Sequence, residues 1–239
     1  CVVSNLEMRS SLASSLAELI ELSDVSTSNV RSTSNVRSWI NSLISISEQE
    51  TEMDGISSSL LQGIAMTVLD SAAALDMQYS DVEPLGKAIA QYSAAYALSE
   101  YDGTRRRTTT SLSFYDNLLD NLDKFASAGS RGMVSGQLDV KFSDEEFQIS
   151  TSVLPATGSV LKTVGNQRFS IPTTTDAAAV ADDDPLVVTM ISLGESSLPA
   201  RSTLHSNMMK LQFSRLPCQS CMIDVFLKHS VPVEFDPPA

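Results

Sequence analysis

Basic residues are in short supply in this chain: 16 Lys and Arg stand against 29 Asp and Glu, a net charge of −13. A surface this acidic is repelled by phosphate backbones and by anionic lipid, so nucleic acid is not an expected partner. The deficit runs through both halves, with 8 basic and 17 acidic residues in 1–130 and 8 and 12 in 131–239. Arg105-Arg106-Arg107 is the only basic cluster, and beside Asp102 it reads as a solvated loop or helix start. Long apolar runs are missing too: none approaches the roughly 18–20 residues of a membrane helix, so this segment is not expected to enter a bilayer. No Asn-x-Ser/Thr sequon occurs, although Ser makes up about one residue in six. Hydroxyls supply the polarity that a charged content of only 19% leaves out, a composition associated with secreted proteins.

Motifs of assembled active sites are equally scarce. The nucleophile elbow GxSxG is absent; Gly132-Met133-Val134-Ser135-Gly136 has the wrong spacing and opens a strand-like run. Ser159-Val160-Leu161-Lys162 matches SxxK without the partner motifs of β-lactamases. There is no Gly-rich phosphate loop and no dinucleotide fingerprint. His205 and His229 are the only histidines, which leaves a Ser hydrolase as a minor alternative and no residue assigned to catalysis. Cys218-Gln219-Ser220-Cys221 admits a redox centre, half a zinc site or a short-loop disulfide. Its continuation is strand-like where a redox thiol wants a helix N-terminus, and the remaining zinc candidates, Cys1, His205 and His229, are poorly spaced. A Cys218–Cys221 disulfide is the favoured expectation, with Cys1 pairing outside this sequence. Asp182-Asp183-Asp184 is a weak calcium candidate without EF-hand spacing, so no cofactor is expected.

What the chain does have is a change of period near residue 130. Before it, apolar residues recur at helical spacing over Asn5–Leu22, Asn35–Ser47, Ile56–Leu75, Asp81–Tyr101 and Ser111–Ser127. Leu6, Leu12, Leu16, Leu19 and Ile20 give the first helix its stripe. Ser34 suits the cap of the second, Asp54 or Ser57 the start of the third, and Pro84 the first turn of the fourth. Ala128-Gly129-Ser130 should end the fifth. After the switch, strands are expected at Met133–Phe142, Phe147–Val153, Val160–Val164, Arg168–Ile171, Leu186–Ile191, Met208–Phe213, Met222–Leu227 and Val231–Phe235, with a hairpin turn at Asp144-Glu145. Helices first and strands second predict an α+β fold: a bundle of about five helices over 1–130, then an antiparallel β-sandwich over 131–239.

This order, together with Asn166-Gln167-Arg168-Phe169-Ser170-Ile171-Pro172, Leu186–Leu193 and the run from Met222 to Phe235, resembles the GAIN domain of adhesion receptors and polycystin-1-like proteins. The resemblance covers about Ile56 to Phe235 and implies a helical subdomain A followed by a sandwich subdomain B. The family's cleavage tripeptide, His, a residue such as Leu, then Ser or Thr, is not reproduced. Leu204-His205-Ser206 reverses it and His229-Ser230-Val231 places Ser one position early. The bracketing Cys/Trp-rich segment is missing as well, Trp39 being the sole Trp, so no catalytic residue carries over. The sequence reads as a piece cut from something longer, ending before any cleavage motif. The expected function is a non-enzymatic extracellular module of a large cell-surface or ciliary protein, contacting protein partners or neighbouring modules. The alternative is a component of a secreted or flagellar-surface fibre or adhesin.

Overall fold

Among the described residues, five α-helices form where the apolar spacing is three or four residues. The computed structural model describes residues 2–25, 32–101, 109–134, 137–154, 158–164, 167–173, 186–194, 208–214 and 223–226. Helix α1 spans Val2–Val25, α2 Thr33–Ser47, α3 Gly55–Ala74, α4 Tyr79–Tyr101 and α5 Thr109–Ser130, with a single 3-10 turn at Glu50–Glu52. Asp54 starts α3 as expected, its carboxylate accepting the Ser57 N–H at 2.7 Å. The cap of α2 is Ser32 and not Ser34: the third residue of the helix is Asn35, and Ser32 Oγ accepts its N–H at 3.3 Å. Pro84 lies inside α4, five residues past its start at Tyr79, so its missing N–H leaves the Ser80 carbonyl without its helical donor. Helix α5 ends at Ser130, within the expected Ala128-Gly129-Ser130, and the chain turns away two residues later at Gly132, whose φ of +69° a residue with a Cβ would resist.

The buried faces are largely those of the sequence stripes. Trp39, Ile40 and Leu43 of α2, Leu85, Ile89 and Tyr92 of α4, and Leu118, Leu122 and Phe125 of α5 all sit in one core. On α1 the stripe divides: Ala13, Leu16 and Ile20 are buried, while Leu12 and Leu19 are exposed. At about 100° per residue, Leu12 and Leu19 fall beside the buried face instead of on it.

Seven strands follow among the described residues, all paired antiparallel. β1 (Val140–Ser143), β2 (Phe147–Val153), β5 (Val187–Leu193) and β6 (Met208–Phe213) form one sheet in the order β1-β2-β5-β6. β3 (Gly158–Val164), β4 (Gln167–Thr173) and β7 (Asp224–Phe226) form the second, in the order β3-β4-β7. The Asp144-Glu145 turn joins β1 to β2, with the Asp144 N–H bonded to the Phe147 carbonyl at 3.0 Å. The long strand expected over Met133–Phe142 is cut to four residues, because Gln137 turns back on Val134. Gln137 donates its N–H to the Val134 carbonyl and accepts the Val134 N–H on Oε1, both at 3.1 Å. Val231–Phe235 lies outside the described residues.

The four-stranded sheet is the middle layer. Phe147, Ile149, Ile191 and Leu193 on one face belong to the core of the helices. Leu154, Val188 and Met190 pack with Val164, Phe169, Ile171 and Leu186 in a second core between the two sheets. β2 alternates in sequence yet is buried on both faces, with Ser150, Thr151 and Ser152 enclosed as well. The helical layer takes the apolar face of β2, and the second sheet covers the face that an alternating strand leaves open.

Candidate functional site

The most elaborated geometry in the molecule is the seam between helices and middle sheet. Tyr79 of α4, Phe125 of α5, Phe142 of β1 and Phe147 of β2 form a continuous aromatic run, with ring centroids 5.7, 5.4 and 5.1 Å apart in turn. Gly86 of α4 faces this run. A Cβ there would stand 2.5 Å from Phe142 Cε2 and 2.9 Å from Phe125 Cζ, so the helix reaches the rings only because the side chain is missing.

Polar pins surround the aromatic run. Arg131, just past α5, donates from Nη1 to the carbonyls of Ala72 and Met77 at 3.2 and 3.3 Å, which ties the end of α5 to the α3–α4 turn. Lys210 of β6 is ion-paired with Asp123 of α5. Thr151 of β2 donates to the Ala126 carbonyl at 3.4 Å. Between the sheets, Lys162 Nζ of β3 meets Asp139 Oδ1 at 2.6 Å with both side chains largely covered. Partial burial works against ionisation of Asp139, but the hydrogen bond and charge of Lys162 outweigh it and hold the carboxyl below its ordinary 3.8.

Deeper in the bundle, three helices share one polar knot. Asn121 of α5 donates from Nδ2 to the Gln62 carbonyl of α3 at 3.1 Å and to the Tyr92 hydroxyl of α4 at 3.0 Å, and Gln62 Nε2 donates to the Phe114 carbonyl at 2.9 Å. Burial pushes the Tyr92 phenol well above the ordinary tyrosine value, and burial followed by the charge of Glu83 does the same to Tyr79. Neither phenol is poised to take a proton at neutral pH.

An acidic edge lies where the 3-10 turn approaches the β1–β2 hairpin. Partial burial, then repulsion from Glu146, Asp144 and Glu145, raises the Glu50 carboxyl above 4.5. Even so, among the described residues no three His, Cys, Asp or Glu side chains are grouped to hold a metal ion.

The residues singled out in the sequence are not brought together by the described structure. Lys162 is committed to Asp139, so the SxxK pattern supplies no unpaired amine. Cys1, Cys218, Cys221, His205, His229, Ser135, Arg105–Arg107 and Asp182–Asp184 lie outside the described residues. Sequence reasoning passed over Gln62, Phe114, Asn121 and Gly86. A polar residue on an otherwise apolar helical face is the signal that finds Gln62 and Asn121.

Fold and seam together define an α+β molecule in which a five-helix layer lies on a two-sheet antiparallel sandwich. None of the described helices is long and apolar enough to cross a membrane. No protein-family model and no curated protein matches the chain.

Proposed function

We propose that this chain is a non-enzymatic extracellular module of a large cell-surface protein, which spaces its neighbours, transmits force between them and meets protein partners. The observation that carries this reading is the doubly buried middle sheet. Its inner strands belong to the helical core on one side and to the sandwich core on the other. A load applied to either layer must pass through β2 and β5, whose seven-residue pairing from Phe147–Leu193 to Val153–Val187 is antiparallel throughout. The aromatic run, the Lys210–Asp123 pair and the Thr151 hydrogen bond to Ala126 resist separation of the helical layer at the same seam. The hydroxyl-rich, acidic composition and the GAIN-like order of elements support the extracellular setting.

Single-molecule pulling on the full chain tests this. With handles at its two ends, helical layer and sandwich are expected to yield in one event. Release of the helices at low force while the sandwich stays intact would refute force transmission through the seam. Incubation with a serine-reactive phosphonate is expected to leave the protein unlabelled; stoichiometric labelling lost in one Ser→Ala variant would establish the hydrolase alternative instead.

A further inference from the structure

Helix α1 is apolar on two faces, and the molecule covers only one. Among the large hydrophobic side chains that the described helices leave exposed, Met8, Leu12 and Leu19 belong to α1, at 55%, 48% and 57% exposure, and only Ile56 and Leu98 lie elsewhere. At about 100° per residue, Met8, Leu12 and Leu19 fall within one stripe about 40° wide, and from Met8 to Leu19 that stripe is about 16 Å long. Ala13, Leu16 and Ile20 occupy the buried side. The described parts of α2 and α5, by contrast, expose no large hydrophobic residue. A helix hydrophobic on both sides is ordinarily covered on both.

Charge selects what covers it. Exposed Glu7 and Glu18 run along one edge of the stripe, with Ser11 and Ser15 between them. α1 has no lysine, and its one arginine is engaged elsewhere: Arg9 Nε meets Glu52 at 2.9 Å and Nη1 donates to the Ile46 carbonyl at 2.6 Å. Among the described residues of α1, the face therefore offers apolar contact and negative charge that no base of the helix offsets.

We propose that this face of α1 docks a cationic amphipathic helix of a protein partner, with apolar anchors along the Met8–Leu19 stripe and Lys or Arg against Glu7 and Glu18. A straight stripe of this length suits a helix laid alongside it, read through anchors at i, i+3 or i+4, and i+7. A second copy of α1 is disfavoured, since it would set glutamates against glutamates with no exposed base on the helix itself to answer them. Anionic lipid is repelled by the same charge. The proposal does not depend on force transmission through the seam.

The test is fluorescence anisotropy of a labelled amphipathic peptide of about five turns, with Leu on one stripe and Lys on both flanks, titrated with the full chain. Saturable binding is expected. The exposed double variant Leu12→Ser/Leu19→Ser should keep the parent circular dichroism and bind at least about tenfold more weakly, about 1.4 kcal/mol. Glu7→Lys/Glu18→Lys should lose the Lys-flanked peptide and gain one flanked by Glu. No saturable binding, equal binding of a scrambled peptide, or indifference to the Leu variants would overturn the proposal. So would self-association of the chain, or sedimentation with phosphatidylcholine vesicles, that the Leu12→Ser/Leu19→Ser variant abolishes.

Discussion

Gly86 and Gly63 are both helical glycines, and their surroundings set opposite expectations for the same substitution. Gly86→Ala drives a methyl group into the rings of Phe142 and Phe125, and is expected to cost about 1–3 kcal/mol of stability. At Gly63 no atom beyond its chain neighbours and the helix's own backbone lies within 4 Å of an added Cβ, so Gly63→Ala should stabilise by about 0.5–1 kcal/mol through helix propensity alone. Chemical denaturation of the two variants checks both signs together. The Lys162–Asp139 pair gives a pH-dependent case. Asp139 ionises more readily in the folded chain than in the unfolded one, so its contribution is present above the ordinary carboxylate value and disappears as the pH falls through the folded one. Lys162→Met is expected to destabilise by about 1–2 kcal/mol at neutral pH, a difference that closes in acid. Of these residue-scale features only the apolar anchors were legible in the sequence. Trp39, Leu85, Ile89 and Phe125 announce themselves by spacing, whereas the role of Gly86 depends on Phe142, 56 positions further along, which no local pattern contains.

Elements were read more securely than their ends. β2 follows the expected Phe147–Val153 because its alternation is regular and its turn is marked by Asp144. β1 does not fill Met133–Phe142, since Gln137 satisfies Val134 locally and the apolar alternation there never becomes pairing. Ser32 displaces Ser34 as the cap of α2 for a comparable reason: the run Ser32-Thr33-Ser34 offers three hydroxyls, and it is Ser32 Oγ that accepts the Asn35 N–H. The double burial of β2 was invisible for a different cause. Ser150 and Ser152 mark a solvated face in any single-strand reading, and here they are covered by the second sheet. The acidic hairpin yields a prediction at this scale. Glu50 resists ionisation in the fold, so its charged form weakens the native state above its raised folded value, and the penalty fades as the pH falls through that value and is gone below 4.5. Glu50→Gln should therefore raise the melting temperature at neutral pH and leave it unchanged in acid, as read by calorimetry at both ends of that range.

At the scale of the whole molecule, helices before strands foretold an α+β fold, while the sharing of one sheet by two cores had no sequence signature. Sharing depends on which strand neighbours which, and β2 pairs with β5 across a long stretch of chain. The central claim is that helical layer and sandwich form one cooperative unit through that sheet. Equilibrium denaturation tests it most directly. The sole tryptophan, Trp39, is buried in α2 and reports on the helical layer by fluorescence. Hydrogen-exchange protection of the β3–β4 amides, followed over the same denaturant series, reports on the outer sheet. A shared midpoint for both probes is the expected result. Loss of the Trp39 signal at a denaturant concentration where β3 and β4 remain protected would contradict it.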